Sequence, residues 1–411
     1  MASAVDIVYN VCCGIDVHKN FLVACIATTD ERSQTTHQIR RFSTYTGDIR
    51  RLADWMRTNN CKDVCMESTG KYWIPIFNAL EKTVSVCLTH PKYVKAIKGK
   101  KTDKKDAKWI AELFKCDLVR SSFIPPEDIR QLRDLCRYHA KLTYALTSEK
   151  NRGQNCLTMC NFKLDDVFSD VFGASASRVL DRLLELRSSE FDIAPLLNKN
   201  CKATADDVKA ALDGELSLPQ AEKLILIRRH MKELTSLQNE LENLIFQLAE
   251  KYHPQIELLL TVPGIGSPLT AIRILAEIGA DMSVFETSKQ LCSWAGLTPQ
   301  NNESAGKKKT TRISRAGAYL KPLLVQIALA VSNSKRYPDL KNKYQLLKKR
   351  RGHKKAVIAI ARKLLTAIWH ILKESVPYSP TVYQKADKPP ANRVLTPEQA
   401  LRFCAVKVFK L

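Results

Sequence analysis

The sequence predicts a multidomain protein that combines an α/β N-terminal part with an all-α remainder. At 411 residues the chain is longer than one typical domain, so we expect two or three domains, each with its own core. Short β-type runs alternate with helical patterns before Pro125 and Pro126, and long segments with the spacing of amphipathic helices follow. The predicted domains are residues 1–125, 126–253 and 254–378, with a tail over 379–411.

The N-terminal part is predicted to be a mixed sheet with flanking helices. Two strands are expected within residues 7–29, joined by a turn at 18–20, and the sequence then favours three strands and two helices in alternation. The expected bounds are a strand at 37–43, a helix at 47–58, a strand at 62–66, a helix at 72–80 and a strand at 84–88, followed by a further helix.

Four carboxylates stand at ends of these elements. Asp16 closes the first strand and Glu67 closes the strand at 62–66, and open α/β sheets form their sites at such carboxyl ends. A lone acid at a strand end is nevertheless most often a turn residue. Asp103 and Asp106 lie three residues apart at the start of the next helix, hence on one face. They could equally do no more than balance the helix dipole and the neighbouring lysines.

Together these carboxylates suit a site for two magnesium ions. Mg²⁺ prefers oxygen ligands and bridges to substrate phosphates, and two ions can stabilise both the attacking and the leaving oxygen of a phosphodiester. The spacing alone leaves this as one hypothesis among several, because it does not establish that residues so far apart in the chain converge.

The middle region is predicted to be a helical coiled-coil connector. A long helix is expected over residues 127–160, and a second one from Pro219 onward has apolar residues at a spacing near 3.5. Residues 161–218 are mixed, with helical fragments at 179–186 and 208–212. The two long helices could pair within the chain or with a second copy, and we expect this region to form a homo-oligomer, a dimer or a tetramer.

The third region is predicted to be helical and to contain a helix-hairpin-helix. Val262-Pro-Gly-Ile-Gly266 separates an apolar helix from a second helix at 269–278. The amides near Gly264 and Gly266, at a helix N-terminus, could hold a phosphate without reading sequence. A plain turn between two helices is the alternative.

The charge of the chain predicts a nucleic-acid partner. The net charge is +23, and eighteen Lys or Arg face a single acid, Asp339, between residues 306 and 363. Residues 90–108 carry eight lysines and two acids, and His353 is better explained as part of the basic surface than as a ligand. The expected nucleic-acid contacts are Lys100, Lys101, Lys104, Lys105, Gly264, Gly266, Lys307, Lys308, Lys309, Arg312, Arg315 and Lys321.

Several other classes of protein are disfavoured. The chain has no apolar run of eighteen residues and no signal-peptide layout at its N-terminus, so we expect a cytoplasmic protein without a membrane partner. The thirteen cysteines include no Cys-x-x-Cys pair and lie mostly in apolar runs. They are therefore expected to be buried small hydrophobes rather than metal ligands or disulfides.

Five short motifs in order resemble one family of proteins across roughly residues 11–375. The sequence resembles the insertion-sequence 110/1111 family of DEDD transposases. This resemblance implies a RuvC-like, RNase H-type first domain, a coiled-coil connector and a C-terminal transposase domain. It also implies a bacterial, nucleoid-associated protein guided by a noncoding bridge RNA, which pairs with target and donor DNA. The motifs are Gly14-Ile-Asp-Val-His-Lys19, Met66-Glu-Ser-Thr-Gly70, Lys101-Thr-Asp-Lys-Lys-Asp-Ala107, Val262-Pro-Gly-Ile-Gly266, and Gly296-Leu-Thr-Pro299 with Ser304-Ala-Gly-Lys307.

The resemblance also implies roles for single residues. Asp16, Glu67, Asp103 and Asp106 fall on the metal-binding tetrad of the family, and Ser304 falls on its nucleophilic serine. Ser314 is the competing choice for the nucleophile, in a similarly basic setting. Ala305 stands where the family commonly has Gly, and Lys321 where it tends to have Arg, which loses a bidentate fork but keeps the charge.

Together with the acids and the basic segments, this resemblance implies an RNA-guided, magnesium-dependent DNA recombinase that excises and inserts its own element at element ends and target DNA. Two alternatives stay open. A RuvC-type structure-selective endonuclease would need the four acids but not Ser304. A non-catalytic nucleic-acid-binding protein would need only the basic surfaces.

Overall fold

The computed structural model describes residues 6–68, 70–92, 94, 102–299, 302–304, 307–310 and 312–380, with the backbone alone at 302–304 and 307–310. The chain forms two compact units, residues 1–130 and 131–411. The predicted separation of a connector from a C-terminal domain within the second unit stays a prediction. Of the predicted tail, all but residues 379 and 380 lies outside the described residues.

The first unit is built on a mixed five-stranded sheet, as the sequence predicts. The strand order is β3-β2-β1-β4-β5, with β1, β2 and β3 antiparallel and with β4 and β5 parallel to β1. The strands and helices alternate in the predicted order along the chain. Their bounds are β1 Val11–Val17, β2 Phe21–Thr29, β3 Thr35–Ser43, α1 Thr46–Thr58, β4 Asp63–Glu67, α2 Trp73–Leu80, β5 Ser85–Thr89 and α3 Asp103–Lys115.

Helices cover both faces of this sheet. Successive strand residues point to opposite sides, and the apolar residues on each side pack against different helices. Cys13, Ile15 and Val17 of β1 pack in the core that includes residues of α1 and α2. Cys12 packs in a second core with Ala107, Ala111 and other residues of α3. Residues of β1 with even numbers therefore face α3, and this alternation decides where the side chain of Asp16 lies.

The second unit begins with a pair of long antiparallel helices. α4 and α8 contact each other through His139 Nε2 and Glu242 Oε1 at 2.8 Å and through Gln238 Nε2 and Thr143 Oγ1 at 2.9 Å. The structure thus answers a question that the spacing left open, because the two helices pair within one chain. The helices of this region are α4 Glu127–Met159, α5 Leu164–Val167, α6 Ala174–Leu186, α7 Ala205–Ala211 and α8 Leu218–Ala249, with a 3-10 turn at Ala194–Leu196.

The helices between α4 and α8 close over a small core of their own. Val179, Leu180 and Leu183 of α6 and Val208 of α7 are buried together with residues from the end of α4 and the start of α8. The mixed segment of the sequence is therefore a helical cap on one end of the helix pair.

The remainder of the second unit is helical with one short hairpin. Its elements are a 3-10 turn at Glu250–Tyr252, α9 His253–Leu260, α10 Pro268–Ile278, α11 Ser288–Trp294, β6 Asn302–Ser304, β7 Lys307–Thr310, α12 Leu320–Asn333, α13 Pro338–Arg351 and α14 His353–Glu374. The largely buried α14 packs against α12, and its Trp369 Nε1 donates to the backbone oxygen of Phe285 at 2.9 Å.

The expectations about membrane-spanning helices and about the cysteines can be compared with the described part of the chain. No helix found there is long and apolar enough to cross a membrane. The twelve cysteines described there are all free, and nine of them are buried, which agrees with their expected use as small hydrophobes.

Candidate active site and nucleic-acid surfaces

Asp16 and Glu67 lie side by side at one edge of the sheet. Ile15 of β1 pairs with Met66 of β4 in a parallel register. The residues that follow them, Asp16 on β1 and Glu67 on β4, are therefore neighbours across the two strands. Side chains two or four residues apart on a strand point to the same face. Asp16 therefore shares a face with Cys12, and Glu67 with Cys65, and both cysteines lie in the core that contains α3. Neighbouring strands are about 4.8 Å apart, which brings two carboxylates close together.

The N-terminus of α3 brings the other two acids to the same side of the sheet. Thr102 is the N-cap, and its hydroxyl accepts from the backbone N–H of Lys105 at 3.4 Å. Asp103 is the first residue of the helix and Asp106 lies one turn later. The helix can approach β1 closely because Gly14 has no side chain: a Cβ there would lie 2.3 Å from the Ala111 nitrogen and 2.4 Å from the Ala107 oxygen.

The electrostatics of Asp16 reflect all three other acids. The pKa of the Asp16 carboxyl is raised from 3.8, mainly because burial penalises its charged form. The His18 imidazole opposes this shift, whereas Asp106, Glu67 and Asp103 reinforce it in that order. Glu67 of β4 and Asp103 and Asp106 of α3 are thus close enough to Asp16 of β1 to raise the pKa of its carboxyl.

His18 is a member of this cluster that the sequence reasoning missed. Its Nε2 lies 3.2 Å from Asp16 Oδ2 and 3.4 Å from Asp103 Oδ1. One atom each of Asp16, His18 and Asp103 lie within 4.8 Å of one another, a grouping suited to a metal ion. His18 follows the end of β1 directly, and only the approach of Asp103, which is distant in sequence, places its ring among the acids.

The donor set fits a divalent cation. Carboxylate oxygens are the ligands that Mg²⁺ takes in proteins, and several of them in one place repel one another unless a cation is present. The Nε2 of His18 is buried between two of these carboxylates and makes no hydrogen bond. A buried ring nitrogen without a hydrogen bond, lying between two carboxylates, is an arrangement that a bound cation would satisfy.

Ser304 belongs to the second unit, in the short hairpin. It is the last residue of β6 and pairs with Lys307, the first residue of β7. Ala305 and Gly306 lie outside the described residues, as do the side chains of Ser304 and of Lys307, Lys308 and Lys309.

The competing serine, Ser314, is held in a close-packed turn. Lys321 Nζ donates to the backbone oxygen of Ser314 at 2.6 Å, and burial lowers the pKa of this lysine. A Cβ on Gly296, which has φ +69°, would lie 3.0 Å from both Ser314 Oγ and Lys321 Nζ. Lys321 therefore has an internal structural contact besides its predicted role toward DNA.

The predicted helix-hairpin-helix segment consists of α9, a tight turn and α10. Ser267 caps α10 by accepting from the backbone N–H of Thr270 at 3.3 Å, and Pro268 starts the helix. Gly264 has φ +84°, and a Cβ there would lie 2.4 Å from Val331, so this glycine is needed for packing against α12. Gly266 faces open space, since nothing lies within 4 Å of a Cβ built there.

The predicted basic contacts are distributed over both units. Lys104, Lys105, Arg312 and Arg315 are exposed, whereas Lys100 and Lys101 lie outside the described residues. The densest described run of positive charge is at the end of α13 and the start of α14, on either side of Gly352. There the Nδ1 of His353 contacts the buried Tyr344 hydroxyl at 2.7 Å, which gives this histidine a structural partner.

Comparison with known proteins identifies the class of the chain. A DEDD transposase model of IS110 type matches residues 13–162, and a model described as Transposase IS116/IS110/IS902 family matches residues 256–345. The two matches together cover more than half of the sequence, and they include Asp16, Glu67, Asp103, Asp106 and Ser304.

Individual relatives agree with these matches. The chain is 25% identical over 386 residues to the pilin gene-inverting protein of Moraxella bovis, covering 90% of this chain and 98% of that one. It is 34% identical over 121 residues to the transposase for insertion sequence element IS1111A of Coxiella burnetii, covering 29% and 33%. With the uncharacterized 42 kDa protein of insertion element IS900 of Mycobacterium paratuberculosis, the identity is 29% over 198 residues, 46% of this chain and about half (49%) of that protein.

Among solved structures, the Fowlpox virus resolvase in complex with Holliday junction DNA matches 25% of this chain and 72% of its own, at 18% identity. The TM-score is 0.18, which supports no argument about the fold. The family matches alone define a DNA transposase, that is, a recombinase. The chain belongs to the IS116/IS110/IS902 family of transposases, the insertion-sequence 110/1111 group that the sequence motifs indicate.

Proposed function

We propose that this transposase excises and inserts its own element by metal-dependent phosphodiester chemistry at Asp16, Glu67, Asp103 and Asp106. The observation that carries this proposal is the placement of Asp16 beside Glu67 on neighbouring strands, with the α3 helix that begins at Asp103 packed against β1. The strand order, with β2 antiparallel to β1 and with β4 and β5 parallel to it, supports an RNase H-type description of the first unit.

The four acids would hold Mg²⁺, in one or two positions, with their carboxylate oxygens. When bound, such ions supply positive charge next to a phosphodiester, where the attacking and leaving oxygens become more negative. The protein itself would contribute three things: the fixed sheet edge that presents Asp16 and Glu67, the α3 N-terminus that presents the other two acids, and exposed lysines such as Lys104 and Lys105 that bind the DNA backbone.

Ser304 is proposed as the nucleophile of strand exchange. Its Oγ would form a bond to phosphorus, the bond from that phosphorus to a deoxyribose oxygen would break, and this oxygen would leave as a hydroxyl. In the second step a hydroxyl of the partner strand would displace the serine. The number of phosphoester bonds is conserved, so joining needs no external energy source. We further propose that the serine of one subunit acts at the tetrad of another.

Strand exchange is favoured over hydrolysis by one relative. The pilin gene-inverting protein of Moraxella bovis, which matches 90% of this chain, inverts a gene, according to its name. Inversion requires that cut strands are rejoined, whereas an endonuclease would leave them cut.

Guidance by a noncoding bridge RNA is the remaining part of the proposal. It rests on the family resemblance and on the net charge of +23. A charge of this size suits a protein that binds RNA and DNA together. RNA and DNA would share the basic stretch between residues 306 and 363. Target choice would then be determined by base pairing, and the protein would contribute mainly phosphate contacts.

The test is a strand-exchange reaction with element-end DNA, target DNA, Mg²⁺ and the noncoding RNA that adjoins the element. We expect joined products from the wild type and a loss of about 1,000-fold with Asp16→Asn or Glu67→Gln, since a metal site supplies several kcal/mol of charge stabilisation. Ser304→Ala is expected to abolish both joining and the covalent protein–DNA adduct. Asp54→Asn, an exposed acid of α1, is the control and should remain fully active.

Each contrary result removes a defined part of the proposal. Cleavage without joining, unaffected by Ser304→Ala, would indicate an endonuclease. Full activity of the Asp16 and Glu67 variants would exclude the tetrad, and joining that proceeds equally well without RNA would exclude guidance.

A further inference from the structure

His18 is fixed in position next to the proposed metal site. It follows β1 directly, and its backbone N–H donates to the Phe21 oxygen at 2.9 Å, which closes the hairpin between β1 and β2. The Phe21 ring contacts the imidazole with 4.6 Å between ring centroids, and the Arg41 guanidinium lies 3.8 Å from the Phe21 ring centroid. The imidazole thus packs against Phe21 on one side, while its side chain as a whole is 39% exposed.

The Nε2 atom of this ring points at the acids. It lies 3.2 Å from Asp16 Oδ2 and 3.4 Å from Asp103 Oδ1, yet it is buried and neither contact has the geometry of a hydrogen bond. One ligand atom each of Asp16, His18 and Asp103 lie within 4.8 Å of one another, close enough to hold one ion together. Burial without a hydrogen bond is costly for a ring nitrogen, and a metal bond would remove that cost.

We propose that His18 Nε2 is a direct ligand of a divalent metal ion, together with carboxylate oxygens of Asp16 and Asp103. This inference rests on the proposed metal site and adds a nitrogen donor to its four acids. Imidazole is a common ligand of transition metal ions, whereas Mg²⁺ takes oxygen. One of the metal positions of this protein therefore prefers Mn²⁺ to Mg²⁺.

The competing role for His18 is that of a counter-ion. A protonated imidazole would also lie near two carboxylates, and it would lower their mutual repulsion without binding metal. The two roles differ in one observable, because only a ligand transfers unpaired electron density from Mn²⁺ to its nitrogen.

The test is pulsed electron paramagnetic resonance of the full-length protein loaded with Mn²⁺ alone. We expect modulation from a directly bound ¹⁴N nucleus in the wild type, which changes to the ¹⁵N pattern when histidine is labelled with ¹⁵N. His18→Gln, which offers an oxygen at similar reach, is expected to remove the signal. His37→Gln is the matched control: His37 lies in the same unit and contacts Glu112 Oε1 at 2.5 Å, and this variant should retain the signal.

Binding titrations give a second readout. Loss of an outer-shell partner of a metal ligand costs about 10–100-fold in metal affinity, so His18→Ala, which removes the ligand atom, should weaken Mn²⁺ binding by at least about tenfold. Mg²⁺ binding by His18→Gln should change by less than about threefold, because glutamine supplies the oxygen that this ion prefers.

The inference is overturned if the wild type binds Mn²⁺ without a nitrogen signal, if His18→Gln keeps the signal, or if His18→Ala keeps the wild-type Mn²⁺ affinity. In either case Mn²⁺ binding that is lost in Asp16→Asn would leave the proposed function intact. A wild type that binds no divalent ion at all would overturn the proposed metal site together with the role of His18.

Discussion

Gly14 is the residue that lets α3 approach β1. A Cβ at this position would lie 2.3 Å from a backbone nitrogen of α3 and 2.4 Å from a backbone oxygen, and neither atom can move without the helix. Asp103 and Asp106 lie in the first turn of this same helix. The absence of a Cβ at Gly14 therefore determines how closely they approach Asp16. Gly14 therefore contributes to the geometry of the proposed site without supplying a ligand.

Replacement of Gly14 by alanine should damage both stability and activity. We expect Gly14→Ala to lower the free energy of unfolding by about 1–3 kcal/mol, the usual cost of overpacking, and to reduce strand exchange because α3 is displaced. Urea denaturation and the exchange reaction measure the two effects. Gly47→Ala is the control, since nothing lies within 4 Å of its Cβ position. Equal behaviour of the two variants would contradict the close packing of α3 on β1.

At the scale of elements, α4 is anchored to the end of α10 by arginines. Arg137 makes a bidentate ion pair with Glu277, at 2.7 and 2.9 Å, and Arg133 donates to the backbone oxygens of Ala276 and Glu277. These carbonyls belong to the last turn of α10, where a positive charge is favourable. The Glu277 carboxylate also raises the pKa of Arg137 by accepting its hydrogen bonds.

Removal of this arginine should be costly because it leaves a buried carboxylate unpaired. The Glu277 side chain is 8% exposed and that of Arg137 is 39% exposed. We therefore expect Arg137→Ala to cost about 2 kcal/mol in thermal or urea unfolding, below the 3–5 kcal/mol of a fully buried pair. Arg182→Ala, which breaks an exposed pair with Glu185, should cost less than about 0.5 kcal/mol. Similar losses in both variants would contradict the anchoring role.

α8 has an apolar face that no described part of the chain covers. Its buried residues, such as Leu224, Leu234 and Leu241, share one side of the helix. A second row of apolar side chains is exposed. Its four leucines are eleven, seven and four residues apart, which places them on one line along the helix. This stripe consists of Leu226, Leu237, Leu244 and Leu248. It supports the proposed homo-oligomer, because apolar residues in a row on a surface mark association sites.

Charged substitutions in this stripe should dissociate the proposed oligomer. We expect Leu237→Glu with Leu244→Glu to shift the molar mass toward the monomer in light scattering, since two carboxylates would be buried in the contact. Leu218→Glu, at an exposed leucine outside the stripe, should have no such effect. An unchanged mass of the double variant would exclude the stripe as the contact.

For the whole molecule, the sequence was most informative where the signal is local. The alternation of strands and helices could be predicted because periods of two and of three to four are properties of single segments. The pairing of α4 with α8 could not, since each helix has an apolar face that would suit a partner in either chain. His18 was missed for a related reason: a histidine in a turn becomes notable only when Asp103, distant in sequence, is seen beside it. Ser304 and its role stay a prediction.

The positive charge of the whole chain should govern its affinity for DNA. Binding to nonspecific duplex DNA is expected to weaken steeply with salt, because each phosphate contact releases a counterion. Lys348 and Lys349 are exposed in the densest basic run, so alanine at both should reduce the slope of log K against log salt by about 2. Lys209→Ala, on the helical cap, should leave the slope unchanged in fluorescence anisotropy titrations. A slope that responds equally to both changes would contradict a localised DNA surface.

The convergence of the four carboxylates on one metal site is tested most directly by anomalous diffraction from crystals soaked in Mn²⁺. We predict an anomalous peak at the edge of the sheet, within bonding distance of Asp16 and of at least one acid of α3, and its loss in crystals of Asp16→Asn. A peak elsewhere, or the absence of any peak among Asp16, Glu67, Asp103 and Asp106 in an active protein, would contradict their convergence on one metal site.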